Sequence, residues 1–499
     1  MVVVRKGIIM MLILMLAVSF GVFAGGEQEG AQGGGAQEGP AAEGEQESLE
    51  GQTITVLSVQ DPFYWGLEAT VERFENETGI NVELVPLGYD ALMARLTTSF
   101  VTKKADMDVV IVDDPRLAQF ADNGWIVPLD PYIERDREEV DLGDFIPAAL
   151  HTSSIWRGQV WTLPMAMYTQ IVMYRKDLLE EAGLREPPKT FEDWWTWETY
   201  MEYVKELDAL GDDIHGTVIC GAQPQPITHM YTGLEVSKGV RWFESFPETP
   251  WDFTPTLANQ QSVDSLNYYL ELYEHSPEEA INYVWFDAGT AFSQQDIGMF
   301  YWWSPYATLI NKAGYMVEEQ SDNFGKYGYA VMPHEPGEER KYSQGGWTFG
   351  IASFSEKKEA AWEYIKAMTS PEYQKAMALD PHVLNCFNDY TRESVYEDPE
   401  LQEAYPSLDI QLRMTEYTDG KTARPHVPIY ASLEGVYGLN TNRALAGEIS
   451  AEQALENIET QFQTILQQNF YIPPENMSIP ESDESFDRSM EVIDRLSAD

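Results

Sequence analysis

Aspartates and aromatic residues stand together at two places where a run of apolar residues ends. The stretch VQDPFYW (59–65) supplies Asp61, Phe63 and Tyr64, and the stretch VDDP (112–115) supplies Asp113 and Asp114. Carboxylates beside exposed aromatic faces suit a carbohydrate, because its hydroxyls need directional acceptors while its C–H faces pack on aromatic rings. The same residues could instead hold an organic cation through carboxylates and cation–π contacts.

Both stretches also have a structural interpretation. An aspartate directly before proline at the start of a helix is a good N-cap, and Asp61 and Asp114 both precede a proline. Capping is therefore the favoured role for these two residues. Asp113, beside such a cap, would still point a carboxylate toward a ligand.

The stretch GMFYWWSPY (298–306) concentrates aromatic rings and contains Trp302, Trp303 and Tyr306. Ile297, Met299 and Tyr301 alternate as in a strand, so part of the stretch is expected to serve the core. The rest could form an aromatic platform for a ligand, and the sequence does not say which of the two tryptophans would face it.

The stretch SQGGWTFGIA (343–352) places Gly345 and Gly346 directly before Trp347. Paired glycines permit a close backbone approach or an unusual turn. A core position for Trp347 is the alternative to a ligand-binding one.

Sequence signatures of the common catalytic and metal sites are missing. The chain has no GxGxxG after a strand, no GxxxxGK[ST], no GxSxG and no HExxH. A glycoside hydrolase stays open, because its two carboxylates have no fixed spacing. Cys220 and Cys386 are the only cysteines; a disulfide between them is compatible with an oxidising compartment but is not required.

Length and charge narrow the class of protein. The 499 residues exceed the roughly 250–300 at which one core stops growing, so two lobes are expected. The net charge of −50 argues against nucleic acid or an anionic membrane as partner. Residues 1–24 resemble a secretory signal, with Arg5 and Lys6 before an apolar run. Residues 25–50, rich in Gly, Glu and Gln, predict a disordered tether.

The elements that would position these residues alternate along the first part of the chain. Strands are predicted at 53–59, 80–85 and 107–115, with helices at 66–79 and 90–102 between them. This alternation predicts a doubly wound α/β lobe, in which ligands bind beyond the carboxyl ends of the strands. Residues 170–325 are richer in helix, with one helix expected to start at Thr190 as its N-cap, and further strands are predicted at 327–332 and 347–353. The residue types also predict a C-cap at Gly79 and N-caps at Ser370 and Ser450.

In their order, these stretches resemble the extracellular solute-binding proteins of ABC importers, in the branch that binds sugars and polyols. The match includes RFENETGINVELV, ADMDVVIVDDPRLAQFADNGWIVPLD, VWTLPMAMYTQIVMYRKDLLEEAGL and YAVMPHEPGEERKYSQGGWTFGIA. The resemblance implies a periplasmic-binding-protein type II-like α/β fold with two discontinuous lobes, a hinge and a cleft. The implied lobes are 51–165 with 331–382, and 166–330 with 383–475, followed by an acidic extension at 476–499.

The resemblance also implies a function and a set of ligand-binding positions. The protein would bind a sugar, including an oligosaccharide, or a sugar alcohol noncovalently outside the cytoplasm, and deliver it to a membrane permease. It implies a monomer without cofactor, metal or catalytic residue; an amine or polyamine receptor of the same fold is the alternative. Many relatives carry a lipid-bearing cysteine after the signal, which is not found here, so a soluble protein is expected. The implied ligand-binding residues are Asp61, Phe63, Tyr64, Asp113, Asp114, Tyr168, Trp302, Trp303, Tyr306, Gly345, Gly346, Trp347, Arg424 and Tyr430.

Overall fold

An eight-stranded mixed sheet forms the centre of the fold in the computed structural model. The structure describes residues 48–104, 106–248, 251–310, 322–383, 387, 389–469 and 489–497. The strands in these ranges are β1 (Thr53–Val59), β2 (Asn81–Leu87), β3 (Val109–Asp113), β4 (Ile155–Trp156), β5 (Gln159–Val160), β6 (Leu163–Arg175), β7 (Ile214–Thr217), β8 (Phe243–Ser245), β9 (Asp252–Pro255), β10 (Asp296–Trp303), β11 (Tyr327–Ala330) and β12 (Gln344–Ile351).

Helices cover both faces of the sheet and follow most of its strands. They are α1 (Pro62–Thr78), α2 (Tyr89–Thr102), α3 (Leu117–Asp122), α4 (Asp130–Arg135), α5 (Arg137–Val140), α6 (Pro147–Ser153), α7 (Lys176–Ala182), α8 (Trp197–Asp208), α9 (Gln225–Ser237), α10 (Gln260–Glu274), α11 (Trp285–Gln294), α12 (Tyr306–Leu309), α13 (Lys358–Met368), α14 (Pro371–Leu379), α15 (Glu393–Tyr396), α16 (Pro399–Ala404), α17 (Leu408–Thr415), α18 (Gly420–Ala423), α19 (Tyr430–Leu445), α20 (Ala451–Gln468) and α21 (Ser489–Ser497). Short 3-10 turns cover Asp114–Arg116, Leu142–Asp144 and Glu278–Asn282.

Strand β6 links the two parts of the sheet. Its first half pairs antiparallel with β12, and its second half pairs with β10 and β11. The strand order is therefore β2-β1-β3-β12 on one side of β6 and β10-β7 on the other. All thirteen residues of β6 are buried, as expected for a strand covered on both faces. The stretch that the resemblance implies as the first crossing between lobes, 163–169, is the first half of this strand, and the lobe boundaries stay a prediction.

The first part of the chain confirms the predicted alternation of strand and helix. Strand β1 pairs in parallel with β2 and with β3, and α1 and α2 connect them. Gly79 ends α1 in the left-handed conformation, with φ 72°, as predicted for a C-cap. Ser370 and Ser450 are N-caps, also as predicted, since their hydroxyls accept the backbone N–H three residues ahead.

One helix start was predicted wrongly. The sequence places an N-cap at Thr190, but α8 begins at Trp197 and its cap is Thr196, whose hydroxyl accepts the N–H of Thr199 at 3.2 Å. Both threonines precede a helix-like pattern, and the later one is chosen because Trp195 and Trp197 are buried on either side of it.

Three features noted in the sequence lie outside the described residues: the predicted signal segment, nearly all of the predicted tether, and Cys386. Cys220 is buried. Within the ranges that the structure describes, no helix is both long and apolar enough to cross a membrane.

Candidate ligand-binding cavity

A cavity of about 260 Å³ opens at the carboxyl ends of the first three strands. Asp61 follows β1, Tyr89 follows β2 and Asp113 ends β3, so each strand delivers one polar side chain to the same space. This is the position expected for a ligand in a doubly wound sheet. Nine of the predicted residues line it: Asp61, Asp113, Tyr168, Trp303, Tyr306, Gly345, Gly346, Trp347 and Arg424.

Asp61 is held by side chains of two other strands. Its Oδ2 accepts a hydrogen bond from Tyr168 Oη at 2.8 Å and another from Trp347 Nε1 at 3.1 Å. The predicted capping role is wrong, because Asp61 precedes α1 without a side-chain hydrogen bond to the helix backbone. Burial raises the pKa of Asp61 to about 6; the two hydrogen bonds oppose that rise and the nearby Asp113 adds to it.

Asp113 and Tyr89 form a hydrogen-bonded pair at one side of the cavity. Tyr89 Oη donates to Asp113 Oδ2 at 2.7 Å and accepts from Arg116 Nε at 3.2 Å. Arg116 Nε also lies 3.8 Å from Asp113 Oδ2. The Asp113 carboxylate is therefore already neutralised within the protein.

Asp114 lies behind the cavity rather than in its lining. Its side chain is completely buried, and its two oxygens accept hydrogen bonds from Arg424 Nη2 at 2.9 and 3.1 Å. The predicted capping role is wrong here as well, since the carboxylate turns to the arginine. Burial raises the pKa of Asp114, while the guanidinium, which keeps its proton, opposes that rise.

Arg424 lines the cavity while it is anchored from behind. Besides Asp114, its Nη2 donates to the backbone carbonyl of Gln344. Burial alone would lower its pKa, but the charges of Asp114 and Asp113 hold that pKa above its ordinary value. The guanidinium also lies 5.7 Å from the ring centre of Trp303, in cation–π range. The cavity wall thus contains a guanidinium that is paired from behind with Asp114.

Strand β10 ends in the two neighbouring tryptophans. Trp303 lines the cavity, whereas Trp302 is fully buried beside it, with its ring centre 5.6 Å from that of Trp303 and 6.1 Å from that of Phe300. The structure thereby answers the question that the sequence left open. Trp303 is the tryptophan of this pair that faces the cavity.

The paired glycines allow β12 to pass close to β6. A Cβ placed on Gly346 would lie 2.4 Å from the carbonyl oxygen of Ala166, a distance that no side chain could tolerate. Gly345 has ordinary space, with its nearest neighbour at 3.4 Å. The close approach predicted for this stretch therefore belongs to Gly346, and it brings Trp347 to the cavity wall.

The remaining predicted residues support the wall from outside. Phe63 is buried and packs against Trp347, with ring centres 6.4 Å apart. Tyr64 Oη donates to Glu68 at 3.1 Å. Tyr430 Oη donates to Glu434 at 3.0 Å. With Asp114 and Trp302, these are the predicted ligand-binding residues that the structure does not bring into the lining.

Several lining residues were not predicted from the sequence: Gln60, Tyr89, His229, Trp285 and Phe286. Tyr89 could have been found, because it follows β2 as Asp61 follows β1. Trp285 and Phe286 begin α11, and His229 lies within α9, so no strand end marks them. Their helical positions give no local signal of a ligand.

His229 connects the cavity to a buried carboxylate. Trp285 Nε1 donates to His229 Nδ1 at 3.4 Å, and His229 Nε2 lies 3.1 Å from Glu434 Oε1 and 3.4 Å from Arg424 Nη1. Burial opposes ionisation of Glu434, but the contact with His229 and the charge of Arg116 hold its pKa below the ordinary value. His229 is thereby fixed in orientation.

Two other cavities among the described residues contain none of the predicted ligand-binding residues. One of about 90 Å³ is lined by Arg241, Glu338 and Lys341 among others, and one of about 420 Å³ by Tyr174, Lys176 and Phe324 among others. Within the described part of the chain, no cluster of three or more His, Cys, Asp or Glu side chains could hold a metal ion.

Comparisons with known proteins agree with the fold. The sequence model of the bacterial extracellular solute-binding protein family matches residues 60–375 of this chain. The mannitol-binding protein of Pseudomonas aeruginosa is 24% identical over 426 residues, which are 81% of this chain and 91% of that protein.

Two solved structures share the fold. The solute-binding protein of an ABC transporter from Agrobacterium radiobacter K84, in complex with ribitol, superposes with a TM-score of 0.75 at 26% identity, covering 84% of this chain and 99% of that one. The maltose-bound MalE3 of T. maritima superposes with a TM-score of 0.71 at 27% identity, covering 83% and 100%. The predicted fold class is confirmed.

Proposed function

This chain belongs to the bacterial extracellular solute-binding proteins, and we propose that it captures a sugar or a sugar alcohol and delivers it to the permease of an ABC importer. The ligand would be held noncovalently in the cavity at the carboxyl ends of β1, β2 and β3. Relatives named for mannitol, and structures that contain ribitol or maltose, support this ligand class.

The observation that carries the proposal is the chemistry of the cavity wall. Aromatic faces from Trp303, Trp347 and Trp285 surround two groups that bind hydroxyls, the Asp61 carboxylate and the Arg424 guanidinium. A polyol needs both acceptors and donors around its hydroxyls, and it needs apolar faces for its carbon chain. This wall supplies all three.

The charges favour a neutral ligand over an amine. Asp113 is already bound by Tyr89 and Arg116, and the Arg424 guanidinium in the cavity wall is paired from behind with Asp114. Asp61 is the remaining acid of the lining; its pKa of about 6 leaves it mostly ionised at neutral pH, but it already accepts hydrogen bonds from Tyr168 and Trp347. The alternative of a polyamine receptor would require a more acidic cavity than this one.

The hydrolase alternative has less support. The family consists of binding proteins, so we propose that the ligand leaves unchanged. Asp61 and Asp113 do line one cavity, and Asp61 has the raised pKa that a general acid needs. Asp113, however, accepts a hydrogen bond from Tyr89 and lies 3.8 Å from Arg116, and both contacts weaken it as a nucleophile or base.

A ligand panel tests the proposal. Thermal unfolding of the purified protein would be measured with ribitol, D-mannitol, D-glucose, maltose and spermidine. We expect at least one neutral sugar or polyol to stabilise the fold by RT ln(1 + [L]/Kd), about 2.7 kcal/mol at a hundred times Kd. Stabilisation by spermidine alone would favour the amine receptor. Release of the aglycone from an aryl glycoside would favour the hydrolase.

The location and the partner follow from the family and stay proposals. Residues 1–24 would direct export, which places the protein in the periplasm or at the outer face of the cytoplasmic membrane. N-terminal sequencing of the exported protein tests this, because cleavage after Ala24 would leave Gly25 at the start. A protein that keeps residues 1–24 after export would contradict it.

A further inference from the structure

Side chains around the cavity form a closed belt. In order, its members are Tyr168, Asp61, Trp347, Tyr89, Trp285, His229 and Trp303, and Trp303 returns to Tyr168. The Asp61 carboxylate joins Tyr168 to Trp347 by hydrogen bonds. The other five links are ring contacts, with centres 5.9, 5.8, 5.7, 6.3 and 6.5 Å apart. These distances lie in the range of favourable aromatic pairs.

The belt passes between the two parts of the sheet at two places. Trp347 and Tyr89 come from the β2-β1-β3-β12 side, whereas Trp285, His229 and Trp303 accompany β10 and β7. Tyr168 makes one crossing, and it lies on β6, the strand that both sides share. The contact between Tyr89 and Trp285 makes the other crossing, on the opposite side of the belt.

We infer that the contact between Tyr89 and Trp285 is a latch that closes the cavity opposite β6 and restricts the ligand to a single sugar ring or an open-chain polyol. The inference rests on the proposed function and narrows its ligand class, since the sequence also allowed oligosaccharides. A longer ligand would have to separate the two rings.

Both rings of the latch are held from behind. Tyr89 is fixed by Asp113 at 2.7 Å and by Arg116 at 3.2 Å, and Trp285 donates to His229 at 3.4 Å. A ring that is held in this way does not swing aside without losing a hydrogen bond. The latch therefore resists the entry of a second sugar unit.

The volume of the cavity agrees with this restriction. Pockets for drug-sized ligands occupy roughly 300–1,000 Å³, and the cavity inside the belt measures about 260 Å³. A small polyol or a monosaccharide fits such a space. A disaccharide would extend beyond it.

Calorimetric titration of the full chain tests the latch. The single-unit ligands are ribitol, D-mannitol, D-glucitol and D-glucose, and the two-unit ligands are maltitol and maltose. We expect the best single-unit ligand to bind at least 100-fold more tightly than either two-unit ligand. A two-unit ligand that binds as tightly as the best single-unit ligand overturns the latch but leaves the proposed function intact. If no ligand of either size binds, the proposed function itself fails.

Variants test whether the latch causes the restriction. Trp285→Ala opens it from one side, and we expect the preference for single-unit ligands to fall at least tenfold. Trp194→Ala is the matched control, because this tryptophan is also half-buried but packs on Trp195, outside the cavity. An unchanged preference in Trp285→Ala, or an equal change in the control, overturns the inference. If Trp285→Ala binds too weakly to measure, the ratio of the affinities for single-unit and two-unit ligands in the wild-type protein decides alone.

Discussion

Two Asp-Pro turns in this chain begin alike and end in different roles. Each follows a buried strand, and in each the sequence favours a helix cap. Asp61 turns into the cavity and is held by the neutral donors Tyr168 and Trp347. Asp114 turns away from it, is fully buried and is bound by the guanidinium of Arg424. The first turn presents a carboxylate to the cavity, and the second positions an arginine.

The difference comes from tertiary partners and not from the turns themselves. A hydrogen bond from a hydroxyl or an indole leaves a carboxylate able to accept more bonds, because each oxygen has further lone pairs. A buried ion pair leaves little to offer, since separating it would expose an uncompensated charge to an apolar environment. Local sequence that caps a helix well can therefore serve either purpose.

The same substitution at the two turns separates these roles, and its largest effect is expected at Asp114. Asp114→Asn leaves Arg424 buried beside a neutral amide. Breaking one partner of a buried pair costs about 3–5 kcal/mol, so thermal or urea unfolding should show a large loss of stability without any ligand. Asp61→Asn is the matched control and should lose no stability at neutral pH, because it removes a carboxylate whose ionisation is disfavoured by burial. Equal stability of the two variants would remove the distinction.

The next effect concerns ligand affinity at Asp61. Asp61→Asn replaces a charged acceptor by a neutral amide, and hydrogen bonds to charged groups contribute about 1.5–3 kcal/mol. We expect a tenfold to hundredfold loss of affinity for the best ligand of the panel, measured by calorimetry. Normal affinity in this variant would mean that the Asp61 carboxylate does not contact the ligand.

The pH dependence of stability should also distinguish Asp61. Its pKa is raised from the ordinary value of 3.8 to about 6 on folding. A raised acid pKa gives a contribution to stability that is fully present below pH 3.8 and is lost as pH rises to about 6. The difference in unfolding free energy between the wild-type protein and Asp61→Asn should fall by about 3 kcal/mol across this window. A difference that is independent of pH would show that Asp61 titrates normally.

The smallest effect is expected from the donors to Asp61. Tyr168→Phe and Trp347→Phe each remove one hydrogen bond, with a cost of about 1 kcal/mol in ligand affinity. These hydrogen bonds oppose the rise in the pKa of Asp61. Each variant should therefore raise the pH at which the contribution of Asp61 to stability is lost. Tyr64→Phe is a suitable control, since its hydroxyl donates to Glu68 outside the cavity. A loss in the control equal to that in Tyr168→Phe would argue against a specific role.

Much of the fold could be predicted from sequence because its signals are local. The alternation of strands and helices between residues 53 and 113 follows from apolar patterning, and the caps at Gly79, Ser370 and Ser450 follow from residue type. The start of α8 could not be predicted, because burial of Trp195 and Trp197 decides between two threonines.

The site was predictable where a strand end or a family motif marks a residue. Asp61, Tyr168 and Trp347 come together in the structure, although their roles in ligand binding stay predictions. The choice between Trp302 and Trp303 was not predictable, since β10 is buried on both faces and lacks a polar side. His229 and Trp285 were missed, because helices bring them to the cavity from distant parts of the chain.

A crystal structure with the best ligand of the panel tests the central claim most directly. We expect the ligand inside the belt, with a hydroxyl within hydrogen-bond distance of Asp61 and its carbon face on Trp303, and without contact to Asp114. A ligand found in the cavity beside Tyr174 and Lys176, or bound to Asp114 with Asp61 left free, would contradict the account.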